Sequence, residues 1–181
     1  WVREMISFWT DYLERLLRRG LEHVVPDHVL VNEDMAYKCF PMISPEMTRS
    51  FLLPTWRRWG ELLKGAGVPV YEVDSDGDIS TLIPVFIDAG FDACSPMEVA
   101  AGIDLPALRE RFGRRMAFQG GIDKRCIAKG GDAITAEIGR LRPVIRSGGY
   151  LPGCDHGVPH DVSWADFVRY VGLLAAETGW R

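Results

Sequence analysis

No run of lysines or arginines occurs in these 181 residues, and the 21 basic side chains are outnumbered by 25 acidic ones, for a formal net charge of −4. That balance lacks the electrostatic footprint that nucleic acid requires. Cysteine is scarce: the four thiols, at positions 39, 94, 126 and 154, stand far apart, without the paired spacing of a metal knuckle. Neither a secretory signal nor an apolar run long enough for a membrane span is visible, so no membrane partner is expected. The pattern suits free thiols in a reducing cytoplasm. No glycine-rich phosphate fingerprint follows the first strand-like run, which counts against a dinucleotide fold.

What is present is alternation. With 47% hydrophobic residues the chain can bury one substantial core. Short β-rich runs, "HVLV" (28–31), "VPVYEV" (68–73), "FDACS" (91–95), "RMAFQ" (115–119) and "GGYLP" (148–152), are separated by longer helical patterns. Strands are therefore expected near 28–32, 69–74, 92–96, 116–120 and 149–153. Ser44, Asp104 and Ser163 read as helix N-caps, and Gly67, Gly90, Gly113 and Gly148 as helix stops. Pro54 and Pro84 fall inside helical patterns and are expected to kink them. Consecutive β–α units imply parallel strands with right-handed crossovers. Every strand ends in polar or reactive residues, as in a (β/α)8 barrel whose strand ends share one site. The expectation is α/β, a TIM barrel of which this chain covers about the last five β–α units. Residues 1–181 would form the C-terminal part of a single barrel domain. Residues 1–27 would be a helix before the first covered strand, with an amphipathic stretch, "SFWTDYLERLLRR", that needs a partner surface.

The strand ends carry the candidate chemistry. Glu33 and Asp34 follow the first; Asp74, Asp76 and Asp78 lie in "DSDGD" after the second; Glu98 follows the third; Asp123, Lys124 and Arg125 follow the fourth; Cys154, Asp155 and His156 follow the fifth. "DSDGD" lacks the further oxygens of a calcium loop, and Asp78 is as good an N-cap as a functional group. Glu98 is as good a cap or pairing group at a helix start as a functional one, and Lys124 and Arg125 could be a solvated face or, beside a Gly-Gly turn, could equally hold a carboxylate or phosphate. Cys39, Cys94 and Cys126 read as inert small hydrophobes. Cys154, in a polar, glycine-rich loop, competes as ligand or nucleophile. His156 is the foremost candidate, because imidazole titrates near neutrality and this loop is a poor place for a structural histidine. His23, His28 and His160 look ordinary. Carboxylates crowded on one rim should raise one another's pKa.

"ISPEMTRSFLLP", "DSDGDISTLIPVFIDAGFDACSPMEVAAGIDLPALRERFG", "FQGGIDKR" and "GGYLPGCDHGVPHDVSWADFVRYV" together resemble the uroporphyrinogen decarboxylase superfamily, over about residues 28–177. The resemblance implies a (β/α)8 barrel with its site at the C-terminal mouth, and two branches of function. Porphyrinogen decarboxylases use a histidine of a His-Gly pair after the last strand, matched here by His156 and Gly157. They need no cofactor, and cations such as Arg125 would hold the remaining carboxylates of the tetrapyrrole. The methyltransferase relatives carry a His-x-Cys pair and a later cysteine that bind zinc, and they serve a corrinoid protein or a thiol acceptor. Cys154 matches the later cysteine, while Asp74-Ser75-Asp76 stands where the pair would be, so the implied zinc ligands are Cys154, Asp74 and Asp76. Catalytic roles fall to His156, Asp76 and Asp74, and substrate binding to Glu33, Asp34, Glu98, Asp123, Lys124, Arg125 and Asp155. A methyltransferase-type enzyme acting with a corrinoid protein or methylated small molecule is the first expectation and a uroporphyrinogen decarboxylase the second. A non-catalytic tetrapyrrole- or corrinoid-binding barrel is the third.

Overall fold

The computed structural model of the chain describes residues 1–180. Helix α1 (Val2–Leu21) precedes strand β1 (His28–Asn32), which leads into a small antiparallel hairpin, β2 (Ala36–Tyr37) and β3 (Phe40–Pro41). There follow α2 (Pro45–Phe51), α3 (Leu53–Gly65), β4 (Val70–Asp74), α4 (Ile83–Ala89), β5 (Ala93–Ser95) and a 3₁₀ turn at Val99–Ala101. Then come α5 (Leu105–Phe112), β6 (Ala117–Ile122), α6 (Lys124–Lys129), α7 (Gly131–Ser147), β7 (Tyr150–Cys154) and α8 (Trp164–Thr178).

The five long strands form one parallel sheet in the order β1-β4-β5-β6-β7, so each helical crossover returns the chain to the neighbouring position. The expected strands lie within one or two residues of those observed. Strands β1 and β7 each have a single neighbour, so among the described residues the sheet is open and does not close into a barrel.

Side chains alternate across a strand, and β4 shows what each face does. Tyr71 and Val73 are fully buried beneath the helices, where the Tyr71 ring stacks on Phe91 at 4.1 Å between centroids. Trp56 of α3 closes the same layer, 5.6 Å from Phe86 and 5.8 Å from Phe91. Glu72 points the other way, onto the inner face, together with Asp74. Helix α1 packs on α3 through a buried Thr10–Thr55 hydroxyl contact of 2.7 Å and a Trp59 Nε1–H bond to the Thr10 carbonyl. Its opposite face leaves Phe8, Trp9 and Tyr12 exposed, with Trp9 edge-on to the stacked rings of Phe8 and Tyr12. As expected of an uncovered edge, Leu30 on β1 is exposed, while Val29 and Val31 are half-buried.

The N-caps act as read: Ser44, Asp104 and Ser163 accept from the backbone N–H of Met47, Ala107 and Asp166. The two prolines do not kink helices. The first stretch divides at Leu52, and Pro54 stands in the first turn of a new helix, where a missing N–H costs nothing. Pro84 likewise opens α4, because residues 80–82 form turns and not helix. Asp78 consequently does not cap α4; its carboxylate accepts from the Ser80 N–H within the preceding turn. Pro143, by contrast, does lie inside α7.

Candidate active site

All the expected strand-end residues lie at the C-terminal edge of the sheet or in the loops leaving it, because every strand of a parallel sheet ends on the same side. Asp76, in the turn after β4, and His156, after β7, come together: Asp76 Oδ1 lies 3.5 Å from His156 Nε2, with both side chains about half exposed. Strands β5 and β6 stand between their parent strands, so the two loops lean toward each other across the rim.

The turn that carries Asp76 is held from several directions. The buried Ser75 donates its N–H to the Ser95 carbonyl at 2.7 Å, and its hydroxyl accepts from the Met35 N–H at 2.8 Å. Gly77, at φ +78°, donates to Glu98 Oε2 at 3.2 Å. Glu98 in turn accepts from Lys124 Nζ at 3.2 Å. Asp155, with no exposed surface, accepts from the Val99 N–H (3.0 Å) and the Lys124 N–H (3.1 Å), while its own N–H bonds the Ile122 carbonyl. One carboxylate thereby ties the loops after β5, β6 and β7 together. Asp123 caps α6 and holds Arg125 bidentately, at 2.8 Å to Nη2. Burial would raise the Asp123 carboxyl, but the hydrogen bonds and charge of Arg125 outweigh it and bring the pKa below the usual aspartate value.

Glu33 turns inward to accept from Trp56 Nε1 at 2.6 Å, whereas Asp34, at φ +45°, is exposed. Asp74 accepts from Asn32 Nδ2 (3.1 Å) and Ser95 Oγ (3.2 Å) on its two oxygens. Burial raises the Asp74 pKa against the Ser95 bond, with further increments from the charges of Asp76, Asp34 and Glu72. The crowding anticipated for this rim is thus present, second to desolvation.

The ligands expected for zinc do not assemble. Among the described residues no three His, Cys, Asp or Glu side chains group so as to hold a metal. Cys154, Asp74 and Asp76 form no such group, and the Asp74 oxygens accept from Asn32 and Ser95. The residues present do not fit the ion.

Sequence reasoning passed over Asn32, Ser95 and Glu72, and it set His28 aside. His28 Nε2 lies 2.7 Å from Glu72 Oε2 on the inner face. The signal was there: an acid inside the apolar run "VYEV", two positions before Asp74 and so on the same face of the strand.

Burial raises the Glu33 carboxyl above its ordinary 4.5, with the Trp56 bond opposing. The folded state then binds more protons than the unfolded one. This contribution to stability is complete below about 4.5 and is lost as pH rises through the higher folded value. Glu33→Gln keeps an acceptor for Trp56 and removes the ionisation. Its urea midpoint should gain on that of the unaltered protein as pH rises above about 4.5; a constant difference would refute the desolvation account.

No family model matches the chain, and no curated protein matches its sequence. Among solved structures, its fold is similar to that of a methyltransferase from Methanosarcina mazei, with a TM-score of 0.59 and 19% identity over 94% of this chain. The chain spans about half of that structure's length, covering 52% of it.

Proposed function

We propose that this chain supplies the last five β–α units of a (β/α)8 barrel and, with them, half of an active-site mouth in a methyltransferase-type enzyme of the uroporphyrinogen decarboxylase superfamily. Its partner would be a corrinoid protein or a methylated small molecule. The carrying observation is the approach of Asp76 to His156 at 3.5 Å, from loops that belong to separated strands. An imidazole oriented by a carboxylate can take a proton from an incoming acceptor such as a thiol, and return it. In this reading the carboxylate positions the ring.

The state of the cations favours methyl transfer over porphyrinogen decarboxylation. A substrate bearing many carboxylates needs free guanidinium or ammonium groups. Here Lys124 is engaged by Glu98 and Arg125 by Asp123, while Asp34, Asp74 and Asp76 leave this part of the rim acidic. The solved neighbour's description as a methyltransferase agrees with this choice.

The test is methyl transfer from methylcob(III)alamin to a thiol, followed by visible absorbance. His156→Ala and Asp76→Asn should each lower the rate by roughly 10²–10⁴-fold, the usual contribution of a positioned acid–base group. Turnover unchanged in both variants would refute the assignment of this pair.

A further inference from the structure

Strands β4 and β7, whose loops carry Asp76 and His156, are separated by β5 and β6, so three strand spacings hold their ends about 14 Å apart along the sheet. The sheet alone gives no reason for a 3.5 Å approach. The pair cannot hold itself either, since both side chains are about half exposed, where an ion pair contributes little against the freedom of two loops. A chain of three hydrogen bonds spans the gap, one across each pair of neighbouring strands. The Gly77 N–H, after β4, donates to Glu98 Oε2, after β5, at 3.2 Å. Lys124, after β6, donates from Nζ to Glu98 Oε1 at 3.2 Å and from its backbone N–H to Asp155 Oδ1, after β7, at 3.1 Å. The ends of this chain abut the functional side chains: Gly77 follows Asp76, and Asp155 precedes His156. A second path runs from Asp155 Oδ2 to the Val99 N–H at 3.0 Å, and it too reaches Gly77 through the Glu98 side chain. The Ser75 bond to Ser95 fixes only the base of the turn, ahead of Asp76.

We propose that Glu98 is the positioning residue of the Asp76–His156 pair: its carboxylate, oriented by the Lys124 ammonium, draws the turn after β4 toward β7 and so sets the separation of carboxylate and imidazole. Both known paths across the rim converge on it. Glu98 and Lys124 are each only about one-fifth exposed, so water and salt weaken their ion pair far less than they weaken the Asp76–His156 contact. Glu98 acts through Asp76 and not on substrate. This role rests on the acid–base function proposed for the pair and adds to it a residue whose loss is felt at a distance.

The test reads the His156 ring signals in NMR spectra of the whole chain together with the methyl-transfer rate. Asp76→Asn defines what His156 shows without its partner. Glu98→Ala should move the ring signals most of the way toward that reference and lower the rate by roughly tenfold to hundredfold, since a misplacement of about 1 Å can cost 10²-fold. Glu98→Gln, which retains an oxygen for the Gly77 N–H, should recover much of both. In the Asp76→Asn background Glu98→Ala should lower the rate by no more than about twofold, because the partner it positions is already gone. Ring signals left in place by a folded Glu98→Ala protein overturn the proposal, and so does a loss multiplied in full in the double variant. If Asp76→Asn itself leaves turnover unchanged, the acid–base function fails while the ring signals still decide whether Glu98 positions the pair. If Glu98→Ala does not fold, Lys124→Met takes its place, releasing the carboxylate without removing it, and unmoved ring signals there overturn the proposal equally.

Discussion

Asp155→Ala should destabilise the protein by roughly 2–4 kcal/mol, since it strips two part-buried backbone N–H groups of their acceptor at about 1–2 kcal/mol each. The Asp155 side chain is completely enclosed and spans from Val99, after β5, to Lys124, after β6, while its backbone belongs to the loop after β7. Water cannot replace the lost acceptor without entering the core. Asp155→Asn retains one acceptor oxygen but turns an amide N–H toward a backbone donor, so its loss should fall between the unaltered protein and alanine. Burial raises the Asp155 pKa against the two amide bonds, so the carboxyl is not there to supply free negative charge; it is a clamp. Urea unfolding measures the effect, and a loss below about 1 kcal/mol for alanine would show that the clamp is redundant. The same variant should blur the Asp76–His156 approach, because the loop carrying His156 begins at this residue.

Gly77→Ala should be comparably damaging and should act on the site directly. At φ +78° an alanine is strained by roughly 1–2 kcal/mol before any contact is considered. Its Cβ would then lie 2.8 Å from the backbone carbon of Ala36 and 2.9 Å from its oxygen. Backbone cannot rotate away as a side chain can, so either the turn or the hairpin β2–β3 must shift. A shift of the turn breaks the Gly77 N–H bond to Glu98 and displaces Asp76, one residue earlier. The expected result is a total loss above about 3 kcal/mol in urea unfolding, with the proposed methyl-transfer activity falling toward that of Asp76→Asn. Gly67→Ala provides the control: its φ is also positive, at +92°, but nothing lies within 4 Å of the added carbon. It should show only the conformational strain. Equal losses at the two positions would mean that the contact with Ala36 contributes nothing.

Much of the molecule was legible from local chemistry. The period of the apolar residues set five strands and the helices between them, and serine, aspartate and glycine marked the helix ends, because capping depends on residues only three or four positions apart. Proline was the local exception: at Pro54 and Pro84 the pattern promised one bent helix. The chain instead begins a helix there, because a proline without an N–H is tolerated in a first turn. Parallel order then required every strand-end residue to lie on one side of the sheet.

Which of those residues face one another depends on distances the sequence does not contain. Arg125 and Lys124 read as free anion-holding cations, yet each is taken by an acid on the rim, Asp123 or Glu98. Asp155 read as a substrate contact and is buried against two amides; Cys154, Asp74 and Asp76 read as zinc ligands and form no metal-holding group. His28 looked ordinary and lies against the most enclosed acid of the inner face. The sequence alone determined the five parallel strands and the set of reactive groups gathered at one edge, though not the β2–β3 hairpin, α6 or the break between α2 and α3, since strand order follows from short-range patterning and crossover chirality. Only the tertiary structure decided the pairings, because burial and partner distance, not residue type, determine whether a carboxylate is a ligand, a clamp or one half of an acid–base pair.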